Sequence, residues 1–101
     1  MRFLLAFLLL AAAAGCGPVQ STSALIDADV ELEGARAAGA ATAAPFEFHS
    51  AEAYLHKARE KSGYAQYEAA IDLANRAREL AKDAHKKAAA ATHRDQPEVA
   101  P

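Results

Sequence analysis

Tryptophan is absent from this 101-residue chain, aromatic residues make up only 7%, and cysteine and methionine occur once each. One cysteine excludes an internal disulfide and any zinc site built from several thiolates. Five glycines, none in a phosphate-loop pattern, exclude a nucleotide-binding turn. Ser50, Ser62 and Asp72 have no spacing that would make a triad, and none lies in a glycine elbow. Nucleic acid is not an expected partner, because a net charge of −2 leaves no dense basic patch. β-Branched residues are scarce, which argues against a sheet. What is abundant is alanine: 24 of the 86 residues from Cys16 onward, against 15 for Leu, Ile, Val, Phe and Tyr together. Rich in alanine and in charge, the composition predicts an all-α fold with a thin core.

The chain opens with Met1-Arg2 and an unbroken apolar run, Phe3 to Ala14. As a helix that run reaches about 18 Å, short of the roughly 30 Å of a bilayer core. A signal-peptide core is therefore expected rather than a membrane span. Ala13-Ala14-Gly15-Cys16 follows and resembles the lipobox of bacterial lipoproteins, with a small residue before the cysteine; position 13 is Ala where Leu is commonest. The resemblance implies cleavage between Gly15 and Cys16 and a diacylglycerol thioether on Cys16, which also accounts for a lone thiol in an exported chain. At about 0.8 kcal/mol per buried CH₂, two or three acyl chains anchor a protein almost irreversibly. Gly17, in the position where Asp retains enterobacterial lipoproteins at the inner membrane, implies the outer membrane, periplasmic face, of a Gram-negative cell envelope.

The expected organisation is a signal peptide over 1–15, a lipidated tether over 16–23, a helical domain over 24–91 and a disordered tail over 92–101. Charge divides the mature part. From Cys16 to Leu55, six acids face Arg36 alone, net −5; from His56 onward, nine bases face seven acids, net +2. An acidic helix beside a more basic one accounts for this.

Within the domain, a first helix is predicted from about Ala24 to Ala43, capped by Ser21, Thr22 or Ser23, with Leu25, Ala28, Leu32, Ala35 and Gly39 on one face. Gly34 and Gly39 weaken its last turns or permit close helix contact. Pro45 ends it, because proline suits a first helical position and pushes its predecessor out of the α region. A second helix starts at Pro45 or Ser50 and runs to about Lys61, with Phe48, Ala51, Leu55 and Ala58 as its stripe. Gly63 is expected as the left-handed residue that stops it. The third helix carries a seam, Tyr67, Ala70, Ala74, Ala77, Ala81, Ala84 and Ala88, at alternating spacings of three and four. Small residues there let two backbones approach near the close end of the 8–10 Å interaxial range typical of packed helices. The predicted architecture is a small antiparallel three-helix bundle, an αα-hairpin plus an N-terminal helix.

Spaced alanines, Ala44-Pro45, Ala51-x-x-Tyr54-Leu55-x-x-Ala58, a glycine turn and Tyr67-x-x-Ala70-x-x-x-Ala74 resemble the bacterial family catalogued as domain of unknown function 4398, over residues 21–88. That resemblance implies a helical, periplasm-exposed protein and supplies no catalytic residues. Some members join this region to a peptidoglycan-binding domain. Tyr67 to Leu80 also looks like the second helix of a tetratricopeptide repeat, but no second copy follows, and such repeats stack in threes or more.

His49 and His56 lie seven apart, about 10.5 Å along a helix, too far to share an ion. His85 and His93 are no better placed, so no metal or cofactor is expected, and no enzyme. Two readings remain. One is a lipid-anchored structural or assembly protein that packs with itself or with an envelope protein. The other is a helical-hairpin binding module for a peptide, an envelope protein or peptidoglycan.

Overall fold

The computed structural model describes residues 1–14 and 16–95; Gly15, half of the expected cleavage site, and residues 96–101 lie outside the described part. Among the described residues the chain is all-helical, without a strand: α1 (Arg2–Ala14), α2 (Cys16–Ala37), α3 (Ala40–Ala43), α4 (Pro45–Gly63) and α5 (Tyr67–Asp95). A helical bundle forms where α5 packs along both α2 and α4, and α2 and α4 touch each other.

Paired residues give the directions. Ser21 meets Ser62, Asp29 meets Arg59 and Arg36 meets Glu52, so α2 and α4 run oppositely. Glu47–Lys87 and Tyr54–Arg76 give the same relation between α4 and α5. Gly17 beside Tyr67 and Gly34 beside His85 show α2 and α5 running the same way.

Four element boundaries differ from the sequence expectation. The stretch expected as a tether, 16–23, is the first part of α2. Pro18 is tolerated there because the first-turn N–H groups have no intrahelical acceptor. Ser21 and Thr22 are not caps. The Thr22 hydroxyl donates back to the Pro18 carbonyl at 2.9 Å, and Ser21 is fully buried with its hydroxyl 3.0 Å from that of Ser62. Tertiary contact with α4 and α5 overrides the turn-prone composition.

The first helix was expected to run to Ala43 but stops at Ala37. Gly39 takes φ +82°, a left-handed conformation that glycine adopts without steric cost, and the chain re-enters as the short α3. Finally, α5 continues through Asp95, four residues into the expected disordered tail. The run Ala88–Ala91 has the highest intrinsic helix propensity, and His93 and Arg94 sit favourably near the negative end of the helix dipole.

The stop of α4 is displaced from Gly63. Gly63 belongs to the helix, and the left-handed residue is Ala65 at φ +60°. Ala65 N–H donates to the Ser62 carbonyl at 3.0 Å and Gln66 N–H to the Lys61 carbonyl at 2.9 Å, the paired bonds of a Schellman stop. Alanine is strained in that conformation by about 1–2 kcal/mol. Ala65→Gly is therefore expected to raise stability by about 0.5–1 kcal/mol, the gain being reduced by glycine's greater freedom when unfolded. A melting temperature unchanged or lowered would contradict this account of the turn.

The core is alanine, apart from Leu32, Phe48 and Leu55. None of the described side chains of α1 joins it: they are all exposed, Phe3, Leu4 and Phe7 among them. Among the described residues no helix is long and apolar enough to cross a membrane.

Candidate functional site

Two regions were singled out by the sequence: the lipobox cysteine and the alanine seam. Cys16 opens α2, directly after the residue that separates it from α1. Any group attached there would therefore lead straight into a rigid helix rather than a flexible tether.

The seam lies on α5. Ala70, Ala74, Ala77, Ala81, Ala84 and Ala88 are each fully buried. Spacings of three and four keep them on one side of the helix, where α2 presents Ala28, Leu32 and Ala35, and α4 presents Phe48, Ala51, Leu55 and Ala58. Tyr67 is only half-buried. Its ring packs on Gly17, and a Cβ at position 17 would stand 3.2 Å from Tyr67 Cδ2. The close approach that Gly34 and Gly39 were expected to permit is thus made at Gly17. Gly34 has ordinary contact room beside His85, and nothing lies near Gly39.

A methyl group contributes about 0.8 kcal/mol on burial and a Phe or Leu side chain about 1.5–3. The alanines therefore stabilise chiefly by letting three helices come close, not by their own area. Ala77→Leu, on the fully buried side of α5, is expected to cost about 1–3 kcal/mol by overpacking. Glu79→Ala, exposed two positions on, should stay within about 0.5 kcal/mol. Thermal melts of the two variants decide it, and equal effects would deny a tight seam.

Polar contacts ring the packed faces. Arg36 stands 3.7 Å from Glu52 and 5.3 Å from the centre of the Phe48 ring, joining the end of α2 to the start of α4. Arg59 bonds Asp29 at 2.8 Å, His49 Nδ1 lies 2.9 Å from Glu52, and Arg76 stacks 5.8 Å from the Tyr54 ring centre. Glu47 pairs with Lys87, and this bond, helped by one from its own backbone, holds the Glu47 carboxyl below its ordinary value near 4.5. A lowered carboxylate pKa favours the folded state above the unfolded value and loses that contribution as the pH falls through the folded one. Stability is expected to fall as the medium is acidified below about pH 4.5, and Glu47→Gln to flatten that part of the profile. An identical slope in the variant would remove Glu47 from the account.

The serine pair between α2 and α4, Ser21–Ser62, was not foreseen. Its signal was present, since Ser21 stands seven residues before Ala28 and fourteen before Ala35, on the same face.

No group of three His, Cys, Asp or Glu that could hold a metal ion is present among the described residues. Surface depressions are open and shallow. One of about 430 Å³ runs along α2, lined by Pro18, Val19, Thr22, Ser23, Ile26 and Asp27. Its lining offers neither a nucleophile beside a base nor a paired carboxylate. No match is found among known protein families, curated proteins or solved structures.

Proposed function

We propose that this is a lipid-anchored structural protein of the bacterial cell envelope: a small antiparallel three-helix bundle, carried on Cys16 at the periplasmic face of the outer membrane, that works by assembling with other helical surfaces rather than by catalysis. One observation carries the reading. A short apolar segment ends in Ala13-Ala14-Gly15-Cys16, and the helix it forms, α1, buries none of its described side chains in the fold that follows. A segment whose described side chains stay outside the core, too short to span a membrane, suits a leader that is removed. The periplasm-exposed helical protein that the resemblance to domain of unknown function 4398 implies would suit such a leader.

The assembly role is supported by the thin core. Few large side chains are buried, while Val19, Ile26, Val30, Phe46 and Tyr64 are exposed on the outer faces of α2 and α4. Cell fractionation tests the location. The protein is expected with outer membranes, released by detergent and retained through washes with high salt or alkali. Recovery in the soluble periplasm would overturn the reading.

A further inference from the structure

We propose that the outer stripe of α2 (Val19, Ile26 and Val30) docks against the outer stripe formed by α4 and the residue that caps it (Phe46, Ala53 and Tyr64) of a second copy, giving an open head-to-tail assembly. This deepens the assembly role proposed above and rests on it. At 100° per residue, Ser21, Ala28, Leu32 and Ala35 share the side of α2 that meets the rest of the fold. Val19, Ile26 and Val30 fall on the opposite side, 69%, 56% and 64% exposed. α2 is therefore apolar on two opposed faces, and the fold covers one of them.

Charge selects what covers the other. Asp27 flanks the stripe on the α5 side and Glu33 on the α4 side, while Glu31 and Asp29 lie farther round, toward α5 and α4 themselves. Asp29 is bound to Arg59 and Glu33 to Arg36, and Glu31 shares a depression with Lys82, His85 and Lys86 of α5, whereas Asp27 has no ion pair among the described residues. Two α2 stripes facing each other would set these acids against their own copies, and an anionic lipid surface would repel them. A helix with apolar residues and cations fits.

α4 has such a face. Phe46 and Tyr64 are 75% and 73% exposed, with exposed Ala53 and Lys57 between them and Lys61 alongside. The aromatics are separated by about 27 Å along the helix, and Val19 to Val30 spans about 16 Å. The aliphatic stripe therefore fits between the two rings, over the small Ala53. Lys57 pairs with Glu60 at 3.5 Å on the surface, a contact weak enough to be exchanged for Asp27 of a neighbour. Because the two faces differ, a pair keeps one α2 face free on one copy and one α4 face free on the other, and such contacts grow as open chains unless they close into a ring.

The test uses the full chain in detergent, sedimented over a hundredfold concentration range. Wild type is expected to pass beyond dimers as concentration rises. Ile26→Lys blocks one face and Tyr64→Glu the other; both sites are exposed, so helix content should be unchanged. Each variant alone is expected to be monomeric, at least tenfold weaker in association, and a mixture of the two should recover a single contact and stop at a one-to-one pair. A wild-type chain that remains monomeric would overturn the proposal together with self-assembly. Association that survives Ile26→Lys undiminished would overturn this surface alone and leave self-assembly standing. Monomeric variants that fail to pair when mixed would overturn the α2-to-α4 contact. A monomeric wild type that floats with lipid vesicles, and loses that binding in Ile26→Lys, would give the stripe to the membrane and overturn the proposal as well.

Discussion

Cys16→Ser is expected to leave an unprocessed chain that still carries residues 1–15 and no lipid. In the lipoproteins that this leader resembles, the peptidase acts only after the thiol has been alkylated, and a serine hydroxyl is not a substrate for that transfer. The effect is all-or-none for the anchor. One acyl chain alone binds a membrane marginally and reversibly, and it takes two or more to hold a protein in place. The variant should therefore lose both the processed mass and the stable, detergent-sensitive membrane association of a mature lipoprotein. The fold should be intact, since no described side chain of α1 is buried. A Cys16→Ser chain that is still cleaved and still resists extraction would mean that the leader is of another kind.

Phe48→Ala is expected to cost about 3–5 kcal/mol. Phe48 is the largest fully buried side chain, and it lies where α2, α4 and α5 converge beside the Arg36 guanidinium. The alanines around it cannot move in to fill the space, because their backbones already limit the approach. A domain of this size has a total stability toward the low end of about 5–15 kcal/mol, so the variant should be largely unfolded near body temperature. Phe46 supplies the comparison. Two residues earlier it points outward, 75% exposed, and Phe46→Ala should change stability by less than about 0.5 kcal/mol in dilute solution. Chemical denaturation of both variants gives the two values. Similar losses would mean that Phe48 is not the centre of the core.

Much of the packing was legible because alanine spacing is itself geometric. Phe48, Ala51, Leu55 and Ala58 are buried on α4, and Ala70 to Ala88 on α5, at the three-and-four spacing that any helix imposes. The starts and stops were less legible, for physical reasons. Helix formation over Cys16 to Ser23 depends on partners far along the chain, Ser62 and Tyr67, which local propensity does not report. Gly63 is the better residue for a left-handed stop, but the hydrogen bonds close two residues later and Ala65 takes the strain. The left-handed Gly39 ends α2 five residues before the Ala44-Pro45 break, so one expected helix became α2 and α3. Function is thinly written for the same reason that the fold is clear. A seam of methyl groups specifies closeness between helices and names no substrate.

Whether Cys16 carries a lipid decides between a lipid-anchored protein and any other. Mass spectrometry of the N-terminal peptide, taken from the wild-type protein in isolated membranes, measures this directly. The expected peptide begins at Cys16, and its mass exceeds that of the bare sequence by a thioether-linked diacylglycerol together with an amide-linked acyl chain. A mature chain beginning at any other residue, or a Cys16 recovered as a free thiol, would contradict the account.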